Sequence, residues 1–153
     1  MQPTDAFAAI STSDKIASSL YKWITGNRGF KRTVALELKE NIELIRLYKK
    51  SGADPKEIIP RLNDDAFRKA LASGFNFNAL KRSKISSTST KNLPQLRKYH
   101  GWTTQKVFEN VYLKVSTLKH AAELKATRKP IRLGVRLQNL FKMMVMLATH
   151  IGS

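Results

Sequence analysis

The sequence predicts an all-α protein: a bundle of four main helices at about 14–25, 30–50, 104–125 and 131–150, with a small helical insertion and a mobile basic Ser/Thr loop. Three observations predict it. Apolar residues recur at helical spacing through the long segments, and no alternating apolar-polar run is long enough for a strand. The punctuation between segments is that of helix ends, with Asp54-Pro55, Asn63 and Thr103 as starts and Gly52 and Gly74 as stops. At 153 residues the chain reads as one helical domain, 13–52 and 103–151 forming the main bundle and 53–101 the insertion.

Residues 1–12 read as a loose tail. Ser13 or Thr12 caps a first helix whose Ile16, Leu20, Trp23 and Ile24 share one side. Gly26-Asn27-Arg28-Gly29 is a turn. From Phe30 to about Lys50, Val34, Leu38, Ile42, Ile45 and Tyr48 form a stripe that Leu36, Leu44 and Leu47 widen. A face that broad suits a helix touching two neighbours. Lys49 and Lys50 sit at its negative end, and Gly52 suits the left-handed residue that closes it.

Asp54-Pro55-Lys56-Glu57 joins a cap, a first-turn proline and a glutamate three residues after the cap. Pro60 limits that helix to about a turn. Asn63 caps a helix over Asp64–Ser73, and Ala79–Lys84 allows another turn or two. Ser83–Asn92 has no apolar residue after Ile85, which predicts the mobile loop. Pro94 starts a short helix ending near His100, and Thr103 or Thr104 caps the next long one. There Val107, Phe108, Val111, Tyr112, Val115, Leu118 and Ala122 fall within about 140° of arc. In the last helix Leu133, Leu137, Leu140, Phe141, Met144, Leu147, Ala148 and Ile151 fall within about 120°. The short Arg128-Lys129-Pro130 connection makes these two antiparallel neighbours.

Charge is the functional signal. The chain holds 28 Lys+Arg against 11 Asp+Glu, net +17. Such self-repulsion suits a polyanionic partner, nucleic acid or an anionic membrane face. Residues 66–153 contain only Glu109 and Glu123 as acids, so the partner surface belongs to the second half. The absence of cysteine excludes disulfides, thiolate metal sites and a Cys nucleophile. Apolar runs are too short to span a bilayer. Asp5, Asp14 and the lack of a basic n-region argue against a secretory signal, so a cytoplasmic location is expected.

Three patterns are candidate sites. Along the last helix Arg132, Arg136, Asn139, Met143, Met146 and His150 form a second row about 80° wide, cationic at one end and apolar at the other. Its arginines suit phosphates, and Met143, Met146 and His150 suit partner docking; the bland reading is methionines filling gaps in the same fold. Lys81, Arg82, Lys84, Lys91, Arg97 and Lys98, interleaved with Tyr99 and Trp102, suit phosphate contact with base stacking, as in single-strand binders. For Trp102 the better reading is core packing. A faint helix-turn-helix pattern runs from Ala66 through Gly74 to a reading helix at Asn78–Lys84, offering Asn78, Lys81 and Arg82, although Lys69 stands where an apolar residue is usual.

Catalytic constellations are poor. His100, His120 and His150 are dispersed, and His120 with Glu123 is too little for a metal site, so no metal or cofactor is expected. The reading that follows is a non-enzymatic nucleic-acid-binding protein, an accessory subunit of a nucleoprotein assembly. It would hold DNA or RNA by the phosphate backbone through Lys81, Arg82, Lys84, Lys91, Arg97, Lys98, Arg128, Lys129, Arg132 and Arg136. The alternatives are a protein-interaction or anionic-membrane-surface module, including a homo-oligomer through the last helix, and a small helical ribonuclease effector. The last requires His100 or His150 beside an arginine in space.

Overall fold

In the computed structural model, residues 18–124 and 132–153 are described. Among the described residues six α-helices pack mostly against one another and no strand occurs. The fold is an all-α bundle, as the periodicities predict. The expected start of the first helix, the tail before it, and Arg128 and Lys129 lie outside the described residues.

Helix α1 (18–25) buries Leu20 and Ile24 and ends where the Gly26 N–H meets the carbonyls of Lys22 and Trp23. Helix α2 (Gly29–Ser51) buries Val34, Ala35, Leu38, Ile42 and Ile45. Gly52, at φ +70°, closes it by donating to the Tyr48 carbonyl. The stripe is narrower than the sequence suggests: Leu36 and Leu44 are half-buried, and Leu47 is exposed. Glu37 and Asn41 take the freed space.

Those two polar residues hold the insertion. Helix α3 (Pro55–Ile58) starts at Asp54, whose carboxylate accepts the Lys56 N–H, and passes into a tighter turn at Ile59–Arg61. The side-chain oxygen of Asn63 accepts the Asp65 N–H at the head of α4 (Asp65–Ala72). Asn41 then clamps Asn63, donating to its carbonyl at 2.8 Å and accepting its N–H at 2.9 Å. Glu37 accepts the Ala66 and Phe67 N–H groups at 2.7 and 3.1 Å. A buried carboxylate from another helix thus satisfies donors that α4 cannot pair internally.

After α4 the expected reading helix is absent. Gly74 (φ +73°) turns the chain, and only one short turn forms, at Phe77–Ala79. Phe67, Phe75, Phe77, Phe108 and Tyr112 make a chain of ring contacts at 4.5–6.1 Å. Burying Phe77 and Leu80 in that cluster overrides the weak helical preference of 78–84. Asn78, expected to read base edges, instead accepts the Gln105 N–H at 2.9 Å. The helix-turn-helix reading is therefore wrong.

The Ser/Thr loop is also more tightly held than its composition suggests. Ile85 donates to the Trp102 carbonyl and accepts from the Gly101 N–H, each at 2.9 Å. Thr90 Oγ1 lies 2.6 Å from His100 Nε2. Ile85, Ser89, Thr90 and Leu93 are buried. The two apolar anchors draw the hydroxyl-rich stretch between them onto the bundle.

The pair α5 (Thr104–Glu123) and α6 (Leu133–Gly152) is antiparallel, as expected, with Thr104 bonded to His150 across the shared end. Thr103 caps α5 by accepting the Lys106 N–H. Helix α6 departs from the predicted two-faced helix: every residue from Leu140 to Ala148 is buried. A helix buried all round is a central element, and α2, α5, α3 and the insertion surround this one. No helix among the described residues is long and apolar enough to cross a membrane.

Candidate nucleic-acid interface

The basic residues of the second half divide into two groups that the hairpin holds apart. Residues 66–108 contain no aspartate or glutamate. Their later part gathers at the amino end of α5 and the carboxyl end of α6. Thr104 Oγ1 donates to the Lys81 carbonyl at 2.6 Å, and the Lys81 ammonium donates to the Ser153 carbonyl. The Ile85 pairing brings 82–85 against 101–102, and the short helical segment Pro94–Tyr99 adds Arg97 and Lys98.

Arg82, Lys84, Lys91, Arg97, Lys98 and Lys106 are exposed. None makes an ion pair with a described residue; the pairs present there include Lys39–Glu43 and Arg68–Asp64, in other parts of the fold. Lys81 is half-buried and committed to Ser153, so it is a strut for the loop more than a ready contact.

The aromatic residues of this end do other work than stacking on bases. Tyr99 is buried, and its hydroxyl donates to Met143 Sδ at 3.7 Å. Its ring meets Trp102 edge-on at 4.7 Å. Lys98 lies over the Tyr99 ring at 5.4 Å and Lys106 over the Trp102 ring at 4.1 Å. The rings are a floor that positions two ammonium groups. Trp102 packs on the core, as read from the sequence.

The second group sits at the other end of the hairpin. Arg132 and Arg136 are exposed at the start of α6. A groove of about 400 Å³ runs beside them, lined by Asn110, Leu113, Lys114, Thr117, Arg136 and Asn139 among others. The side-chain oxygen of Asn110 is buried there without a hydrogen-bond partner. Each helix of the pair has 20 residues, so the two basic groups are separated by about 30 Å of helix and do not form one cluster.

The row on α6 is thus divided between surface and interior. Arg132, Arg136 and Asn139 are exposed, but Met143, Met146 and His150 are all buried. As a partner-docking surface those three are excluded by their burial; Tyr99 of the insertion lies on Met143, and Ser83 of the insertion and Thr104 at the head of α5 meet His150. Sequence reasoning missed Lys106 and Lys114. Both lie outside the apolar arc of α5, in a stretch between Arg97 and Lys119 whose only acid is Glu109, and that was the available signal.

Burial raises the pKa of Glu37 despite the two backbone N–H groups that favour its anion. Tyr112 is raised well above its ordinary value, first by burial and then by the Glu37 charge. Its hydroxyl faces Glu37 and Asn41 without reaching good hydrogen-bond geometry. A cavity of about 490 Å³ borders this cluster, lined by Phe30, Leu36, Glu37, Glu40, Asp65 and Lys69 among others; it belongs to the acidic part of the surface. Among the described residues no three His, Asp or Glu side chains come together. His150 neighbours Thr104, Ser83 and Lys81, and His100 bonds Thr90.

Comparison with protein-family models, with curated proteins and with solved structures finds no match for this chain.

Proposed function

We propose that the protein is a non-enzymatic nucleic-acid-binding helical protein that holds the phosphate backbone, as an accessory component of a nucleoprotein assembly. The observation that carries this reading is the end of the bundle where Arg82, Lys84, Arg97, Lys98 and Lys106 stand exposed without a described acidic partner. Exposed cations kept unneutralised on a chain of net +17 are stabilised by a polyanion, whose condensed counterions they release. Two groups about 30 Å apart also suit an extended strand better than a compact acidic ligand. The groove with Lys114 and Arg136 runs from the second group along the hairpin towards the first.

Anisotropy titration of fluorescent single- and double-stranded oligonucleotides of random sequence tests the reading. Binding tighter than about micromolar at low salt, falling steeply as salt rises, is expected. Weaker binding, or an affinity indifferent to salt, overturns it. Co-sedimentation with phosphatidylserine vesicles and no oligonucleotide binding would move the function to an anionic membrane surface.

A further inference from the structure

The Ser/Thr loop and α6 line a small cavity of about 170 Å³, with Thr88, Ser89, Lys91, Asn92 and Thr149 supplying its polar lining and Leu93 and Val145 its apolar wall. No carboxylate lines it. Ser89 is 5% exposed, yet its hydroxyl makes no hydrogen bond to a described residue, so this donor opens into the cavity unspent. The Thr149 hydroxyl donates to the Val145 carbonyl at 2.8 Å and has only acceptor capacity left. Thr90, next to Ser89, is held by His100, which fixes the loop from behind.

A buried hydroxyl donor and an ammonium group beside an apolar wall, with the exposed Thr88 hydroxyl at the rim, match a tetrahedral oxyanion. The volume corresponds to about five or six waters at roughly 30 Å³ each, enough for a phosphate group and too small for a nucleoside. A cavity that admits one phosphate group and no nucleoside accepts a terminus, whereas a continuous backbone would pass over it. We propose that this cavity binds a phosphate monoester and, resting on the nucleic-acid reading above, that it seats the terminal phosphate of a strand whose backbone lies on the neighbouring basic end.

The test uses the full chain and three single-stranded RNAs of one sequence, carrying a 5′-phosphate, a 3′-phosphate or neither. One phosphorylated end is expected to bind about tenfold more tightly than the unphosphorylated strand, the effect of one or two charge-assisted hydrogen bonds. Ser89→Ala and Lys91→Met should each remove most of that preference, and Ser89→Ala should leave the affinity for the unphosphorylated strand unchanged. Equal binding of all three strands, or a preference that survives both substitutions, overturns the proposal while leaving backbone binding intact. If no strand binds, the function proposed above falls. Inorganic phosphate then decides the cavity alone: a higher melting temperature than in chloride of equal ionic strength, lost in Ser89→Ala, supports it, and no difference refutes it.

Discussion

The two ends of the α5–α6 hairpin are built from the same helices and behave as opposites. At the carboxyl end of α6 the insertion lies on the helix, and the row that includes Met143, Met146 and His150 is interior. At the amino end nothing described covers the same row, and Arg132, Arg136 and Asn139 face solvent above an open groove. Helical spacing defines a row, but whether that row is core or rim depends on which distant segment lands on it. Charge follows the same division. At the covered end all the cations but Lys106 are carried by the covering segment, and at the open end they are carried by the helices themselves.

Truncation at the two ends should break the symmetry most sharply. Met146→Ala opens a cavity at a site with no exposure and is expected to cost about 2–5 kcal/mol in chemical denaturation. Arg136→Ala, in the same row, should shift stability by no more than about 0.5 kcal/mol. Equal losses would mean that the open end is covered in solution. Nucleic-acid binding sharpens the contrast further. Neutralising Arg82, Lys84, Arg97 and Lys98 together should flatten the log–log salt dependence for single strands by about 3, some 0.7 per lost phosphate contact. Neutralising Lys114, Arg132 and Arg136 should flatten it by about 2 if a strand spans both ends, and by nothing if it stays at the covered one.

How much of this was legible in the sequence follows from the range of the forces involved. Local signals held: Asp54, Thr103 and Gly52 do at their helix ends what their chemistry dictates. What failed was long-range. Ser89 and Thr90 are hydrophilic, and their burial follows from the pairing of Ile85 with residues 101–102, the burial of Leu93 and the Thr90–His100 contact. Glu37 and Asn41 lie on the inner side of α2, and nothing near them in sequence says that they cap and clamp α4 some 29 and 22 residues away. The exposed cations were legible because charge needs no partner to be read. Their division into two groups was not, since it depends on where the insertion docks.

On the α2 side of α6, between the two ends, Lys49 lies over the Phe141 ring at 4.6 Å with its ammonium buried and unbonded. Burial, aided by the Lys142 charge, lowers its pKa to about 8 from the ordinary 10.5. The unfolded chain therefore holds this proton more tightly, and stability should rise as pH climbs from about 8 towards 10.5. Lys49→Met is expected to flatten that window and to raise the melting temperature at pH 7. A variant less stable at pH 7, with the rise intact, would show that the ammonium is a favourable part of the α2–α6 contact.

The smallest expected effect returns to the covered end. The His150 ring faces two acceptors, the Thr104 hydroxyl oxygen at 2.9 Å and the Ser83 carbonyl. Thr104 already spends its proton on the Lys81 carbonyl at 2.6 Å, so a neutral ring has one N–H for two acceptors. Protonation would satisfy both, and the position in the last turn of α6 also favours a cation. Burial and the nearby Lys81 charge nevertheless outweigh these, and the pKa lies below the ordinary 6.5. The sign follows: the folded state resists a proton that the unfolded chain accepts. The contribution is complete above about pH 6.5 and is lost as pH falls through the lowered value. Thermal melts between pH 7.5 and 5 should show this decline in the wild type and a shallower one in His150→Gln. Because the ring anchors the segment carrying Lys81 and Ser83, the same acidification should loosen the covered end before the open one. Hydrogen exchange at 81–85 rising ahead of exchange in α5 near Lys114 would show that order. Uniform exchange across both would mean that the insertion and the hairpin open as one unit.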